Sequence, residues 1–265
     1  MIKRLPFIKS APTVAVLRLG GVIASGTRGQ LNDQGLAPVI ERAFRKGKPD
    51  AVALTINSPG GSPVQSSLIA ARIRRLADEK SIPVIAFVED VAASGGYWLA
   101  CAADEILIDE SSIVGSIGVI SASFGFHDFL GRHGIERRVH TAGKHKSILD
   151  PFRPEREEDI ERLKGLQAQI HEAFIAHVKT RRGDRLSDSE DLFTGEIWVG
   201  LKAVNAGLAD GLGHLVPAMK DKYGDKTKFR VYGPKRGLLG RFGLSIAESA
   251  MTAAQERALW AQYGL

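Results

Sequence analysis

Apolar positions follow two rhythms along this chain. Three short unbroken runs, Thr13–Leu19, Ala51–Ile56 and Pro83–Val88, are rich in aliphatic and β-branched residues and end at turn formers. They predict strands covered on both faces of a sheet. Between them, Leu36–Phe44 and Val64–Ala77 are long enough for helices, the first with Asp33 or Gln34 near its start. A further helix is predicted to open at Ser94. Strand and helix alternate at the pitch of βαβ units, which argues for an α/β fold with a mostly parallel sheet.

Past residue 100 the pattern loosens. Short strands are predicted at Glu105–Ile108, Val119–Ser121, Glu136–Thr141 and Glu196–Val199. Between Glu157 and Lys179, apolar residues fall at 160, 163, 166, 170, 174 and 178, one face of a long helix that Gly183 ends. A short helix follows at Leu201–Ala206, with Gly207 as its C-cap. Gly233-Pro234-Lys235-Arg236-Gly237 has the look of a linker, and residues 238–263 form an amphipathic helical pattern. The expected division is an N-terminal arm over 1–11, one domain over 12–232 and a tail over 233–265.

Composition narrows the classes. With 265 residues, 44% hydrophobic and 25% charged, the chain can bury a large core and is ordinarily soluble. One cysteine, Cys101, excludes an intrachain disulfide and a thiolate zinc site. The net charge of +6 is interleaved with 30 acids, so nucleic-acid binding is not expected. Anionic membrane surfaces are a better match for Met1-Ile2-Lys3-Arg4 and Lys235-Arg236, and peripheral contact with the inner membrane is one reading. No apolar run approaches the roughly 20 residues that span a bilayer, and Pro6, Lys9 and Pro12 break any signal-peptide core. The expected address is the cytoplasm. Asp104-Glu105 and Asp109-Glu110 read as solvated strand ends, and neither a metal nor another cofactor is expected.

Three segments carry chemistry. Asn57-Ser58-Pro59-Gly60-Gly61 ends a strand. Its glycines bring backbone N–H groups close to a ligand, as an oxyanion hole requires, or make a plain turn. In Ala92-Ala93-Ser94-Gly95-Gly96, a serine between small residues stands at a helix N-terminus, either as a nucleophile or as an N-cap. Thr141-Ala142-Gly143-Lys144-His145-Lys146-Ser147 offers two lysines and a histidine. An ordinary lysine is neutral in only about one molecule in two thousand at pH 7, so a lysine base must lose its water or gain a cationic neighbour. Of seven histidines, His145 is the one that competes, since it adjoins Lys146. Cys101, Tyr97 and Trp98 read as helix packing, the two aromatics also as lining of a groove.

These segments, with Gly115-Ser116-Ile117-Gly118-Val119, Gly195-Glu196-Ile197-Trp198 and Ala203–Gly213, resemble the signal peptide peptidase A and SohB family of serine peptidases. The likeness runs from about Val14 to about Lys222. It implies a ClpP- or crotonase-like core with the C-terminal helical tail as an extension. It implies Ser94 as nucleophile and Lys146, 52 positions on, as general base. Gly61 and Gly95 become the oxyanion donors, and Ser116 orients the lysine amine. Peptides become the substrates, and family members assemble, so a homo-oligomer that shares its sites between subunits is expected. The rivals are a crotonase-type acyl-CoA enzyme and a non-catalytic peptide-binding scaffold.

Overall fold

A computed structural model describes residues 11–25, 30–233 and 257–265. Its frame is an eight-stranded sheet built around β1 (Thr13–Gly20), β2 (Ala51–Ser58) and β3 (Val84–Ala93). β1 pairs in parallel with β2 from Val14↔Ala51 to Gly20↔Asn57, and on its other edge with β8 (Lys228–Tyr232). β2 pairs in parallel with β3. Alternation explains why these strands read as unbroken apolar runs. Ala15, Leu17, Leu19, Val52, Leu54, Ile56, Val84 and Ala86 enter the larger core cluster. Their neighbours Val14, Val16, Ala51, Ala53, Ile85 and Phe87 enter a second cluster with Met219. Both faces are therefore dry.

Helices α1 (Asp33–Arg45) and α2 (Pro63–Lys80) supply the larger core with Leu36, Ile40, Phe44, Ile69 and Ile73. The side chain of Asn32 caps α1 through Gly35 N–H, and Ser62 caps α2 through Gln65 N–H. The second cluster is covered by α7 (Leu215–Tyr223).

The sheet forks at β3. Its first half, Ile85–Val88, pairs with β4 (Glu105–Ile108), which continues to β7 (Gly211–Leu212). Its second half, Val91–Ala93, pairs with β5 (Ile113–Gly115), which continues antiparallel to β6 (Ile197–Val199). The β2–β3 register slips between Ile56↔Val88 and Ser58↔Ala92. Asn57 patches the slip: its amide donates to Asp90 and its carbonyl oxygen accepts from Val91 N–H. From the fork β3 runs on into α3 (Gly95–Ala100).

The long helix α5 (Glu157–Arg182) ends at Gly183, φ 54°. Only its C-terminal half is seated, through Phe174 and Val178; Leu166 and Ile170 are 52% and 39% exposed. α6 (Gly200–Asn205) leads to Gly207 in the left-handed region, φ 77°. Beneath it Arg182 is buried, donating to Gly207 O and, through both terminal nitrogens, to Asp210 at 2.8 and 3.0 Å. Burial is the largest single influence on the Asp210 carboxylate and works against it, but the Arg182 hydrogen bonds, the Ile106 N–H and the charges of Arg182 and Arg185 together hold the pKa below the usual range.

Residues 118–156 depart from the sequence expectation. The strands expected at 119–121 and 136–141 are absent; the segment is an arm whose one helix is α4 (His127–Arg132). β-branched residues form a strand only where another strand offers an edge. Here Ile120 and Phe124 are each 81% exposed, so no edge lies beside them. The helical pattern over 238–263 falls outside the described residues except for a turn of helix at 257–261.

Candidate active site

Ser94 joins β3 to α3 in a strained turn. Its φ of 50° and ψ of −122° lie where non-glycine residues rarely sit, a cost of about 1–3 kcal/mol that neighbouring structure must hold. Two backbone bonds hold it: Ser94 N–H donates to Gly115 O at 2.9 Å, and Trp98 N–H donates to Ser94 O at 3.1 Å. Its side chain makes no capping hydrogen bond. The helix-cap reading of this serine is therefore set aside; the hydroxyl is free of that role.

The glycines beside it are required by contact. A Cβ on Gly60 would lie 2.8 Å from Gly95 N and 2.9 Å from Ser94 Cβ. A Cβ on Gly61, φ 136°, would lie 2.0 Å from Ile23 O. A Cβ on Gly95 would lie 2.4 Å from Ser66 Oγ, and one on Gly96 2.3 Å from Ser58 O. Gly61 also forms a parallel bridge with Ile23, in which Ile23 N–H donates to Gly60 O and Ser62 N–H to Ile23 O, at 2.8 and 2.7 Å. In such a bridge the intervening residue's own N–H points away from its partner. That direction is towards α3, since Gly61 N lies 3.3 Å from where a Gly95 Cβ would stand. Among the described residues, neither Gly61 N–H nor Gly95 N–H meets an acceptor. Two unpaired donors thus lie side by side next to an uncapped serine, at a helix N-terminus.

Ser116 follows β5, one residue beyond the carbonyl that holds Ser94. It too has positive φ, 50°, and its N–H donates to Glu196 O at 2.7 Å. Its Oγ accepts from Tyr263 Oη at 3.3 Å. Ser94, Gly61, Gly95 and Ser116 are therefore gathered at the fork. Lys146 stands apart. It is exposed on the arm in a turn closed by its N–H donating to Gly143 O at 3.2 Å, and no side-chain contact joins it to Ser94 or Ser116 among the described residues. His145 faces α5, with Nε2 3.1 Å from the Arg162 guanidinium.

Other polar side chains secure the site's walls. His177 Nε2 lies 3.2 Å from Trp98 O, and its ring stacks on Trp98 with centroids 4.8 Å apart. Burial lowers its pKa, so the ring is neutral at pH 7 and its Nε2–H donates. His171 Nε2 lies 2.9 Å from Ile117 O, tying α5 to the segment after Ser116. Both stand on the apolar side of the 157–182 periodicity, which was the sequence signal for them; Tyr263 had none. Tyr97 is packing rather than groove: its hydroxyl donates to Leu208 O at 2.9 Å within the core. Cys101, also core, has its thiol pushed up to about 12 by burial.

A parallel sheet that forks below a strained strand-to-helix serine is the ClpP-like α/β core. Solved structures share it: the 1510-N membrane-bound stomatin-specific protease in complex with a substrate peptide aligns over 92% of this chain and 98% of its own, at TM-score 0.52 and 16% identity. The model of "Peptidase family S49" matches residues 77–226. Among similar proteins, the chloroplastic serine protease SPPA of Arabidopsis thaliana is 32% identical over 78% of this chain and 31% of its own. The probable protease SohB of Haemophilus influenzae is 31% identical over 76% and 57%. The chain belongs to peptidase family S49. It is also 49% identical, over 95% of its length, to 37% of a Brucella melitensis protein named as the Na(+)/H(+) antiporter NhaA. No helix among the described residues is long and apolar enough to cross a membrane. The chain spans less than two thirds of each of these relatives.

Proposed function

We propose that the chain is a serine endopeptidase in which Ser94 attacks and Lys146 is the base. One observation carries this reading: the paired free N–H groups of Gly61 and Gly95 beside the uncapped hydroxyl of Ser94. The Lys146 amine takes the Ser94 proton as Oγ bonds to a peptide carbonyl carbon. Negative charge moves onto the carbonyl oxygen, which the two N–H groups receive. The C–N bond then breaks, and the Lys146 ammonium returns its proton to the leaving amine. Water, deprotonated by the same amine, hydrolyses the acyl-enzyme.

The exposed position of Lys146 leads to the second half of the proposal: the dyad is completed by a second copy of the chain. The arm that bears Lys146 displays Ile120, Phe124, Phe126, Phe129 and Ile135 to solvent, and α5 exposes Leu166 and Ile170. Patches of this kind mark association surfaces. Closing such an interface over the dyad also removes water, which favours an uncharged amine. Substrates are peptides, cleaved signal peptides among them, by analogy with the "Putative signal peptide peptidase SppA" of Enterococcus faecium, 28% identical over 78% of this chain. A fluorophosphonate probe tests the nucleophile: covalent labelling is expected for the native chain and none for Ser94→Ala. Undiminished labelling of Ser94→Ala overturns the assignment.

A further inference from the structure

The arm that carries Lys146 leaves the body of the protein after Ile117 and returns to it through α5. Its departure is a tight turn. Gly118 N–H donates to Ser116 O at 3.0 Å, which folds three residues around Ile117. The Ile117 side chain is fully buried, and its carbonyl is not used by that turn. His171 takes this carbonyl, with Nε2 2.9 Å from Ile117 O. A carbonyl only accepts, so Nε2 carries the proton. One hydrogen bond thus joins the two roots of the arm across 54 residues.

On α5, His171 stands at a boundary. From Glu161 to Ile170 no residue is buried. Beyond it one face of the helix lies along α3. Phe174 stacks on Trp98 at 4.8 Å, His177 reaches Trp98 O, and Arg181 donates to Cys101 O and Ala103 O. Those contacts seat the helix without His171, whose own bond goes to the residue after Ser116. Ser116 holds a costly conformation, φ 50°, and its N–H to Glu196 O restrains it on one side. The His171 bond restrains it on the other. From there the backbone runs through Gly115, whose carbonyl holds Ser94.

We propose that His171 is a positioning residue for the dyad: by donating to Ile117 O it sets the direction of Ser116 Oγ and closes the base of the arm that carries Lys146. This rests on the reading of Ser94, Lys146 and Ser116 given above. His171 touches neither substrate nor the reacting atoms. It acts through Ser116, so its loss slows the proton transfer and leaves substrate binding alone.

The test compares the native chain with His171→Leu, His171→Asn and His171→Gln. The glutamine amide reaches about as far as Nε2, whereas the asparagine amide stops at the place of Nδ1 and cannot reach Ile117 O. Thr180→Val is the control, since it removes a hydrogen bond that α5 makes only to its own Ala176 O. The readouts are kcat and KM for peptide hydrolysis, the rate of fluorophosphonate labelling at Ser94, and hydrogen exchange at amides 116 and 118. His171→Leu and His171→Asn are expected to lower kcat and labelling about five- to tenfold, the worth of one hydrogen bond, with KM within twofold of native. Both should speed exchange at 116 and 118. His171→Gln should restore all three readouts to within twofold, and Thr180→Val should change none. Should the leucine variant fail to fold, the asparagine and glutamine pair carries the same comparison. Equal losses in the asparagine and glutamine variants, a loss confined to KM, or a kcat that stays within twofold without the bond each overturn the proposal and leave the nucleophile standing. A native chain that neither hydrolyses peptides nor takes the label overturns the nucleophile instead. Exchange at 116 and 118 then decides the clamp by itself, and amides that exchange alike in the native and asparagine forms overturn it.

Discussion

Gly61→Ala is the sharpest perturbation the site offers. The new methyl would lie 2.0 Å from Ile23 O and 2.9 Å from Ile23 C, both backbone atoms, so no side chain can swing aside to admit it. The φ of 136° is also closed to alanine at low cost. The bridge to Ile23 must open, with the loss of Ile23 N–H to Gly60 O and Ser62 N–H to Ile23 O. At about 1 kcal/mol each, two such bonds are worth about 2 kcal/mol, or about 4–8 °C in Tm for a protein of this size. Once the bridge opens, Gly61 N–H turns away from Gly95 N–H. Loss of one oxyanion donor costs about 10²–10³ in kcat, roughly 3–4 kcal/mol. Activity should thus fall far more than stability explains. The assay pairs peptide hydrolysis, kcat and KM separately, with thermal unfolding of the same samples. Gly125→Ala is the control, since its added Cβ meets nothing within 4 Å. A Gly61→Ala enzyme that keeps kcat within threefold of native, at whatever Tm, refutes the assignment of this N–H to the oxyanion.

Other expectations follow from single features. Mixing Ser94→Ala with Lys146→Ala chains should restore activity towards about a quarter of native, the share of sites that random assembly completes across a boundary; chains that complement nowhere contradict the shared dyad. Arg182→Met should cost about 3 kcal/mol in urea unfolding, because it leaves the partly buried Asp210 with only the more exposed Arg185 guanidinium, 3.3 Å away. Asp210 is held below its ordinary pKa of 3.8, so its contribution is complete above that value and lost as pH falls through the lower native value. Asp210→Asn should accordingly flatten the acid limb of the stability curve. Cys101, with its thiol near 12, should resist iodoacetamide at pH 8 until the chain unfolds.

The central strands were legible because alternation into two cores leaves every position from Val14 to Leu17 apolar or small, whichever face it meets. The glycines and Ser94 were legible as a set, since close approach of backbone to backbone admits few residues. The arm was misread because Val119–Ser121 and Glu136–Thr141 have strand-forming side chains but no strand edge beside them, and pairing is a tertiary fact. Ser94's cap role, left open by local sequence, was settled by the absence of any capping bond. The half of α5 that carries Leu166 and Ile170 has a correct helical period yet no core beneath it, because periodicity marks an apolar face without naming what covers it. Tyr263 lay beyond reach for the same reason: contact across 147 residues leaves no trace in spacing.

The fork in the sheet divides labour between its two branches. The β1–β2 ladder runs through seven residue pairs, whereas β5 is held to β3 by three and to β6 by three. Protein regions with few ladder bonds open locally at a fraction of the global unfolding free energy. Gly115 and Ser116, which hold the backbone around Ser94, therefore hang on a branch far less reinforced than the β1–β2 ladder. Fewer ladder pairs predict that this branch opens locally at lower cost than β1 and β2, which amide hydrogen exchange would show as faster exchange at 113–116 than at 14–20.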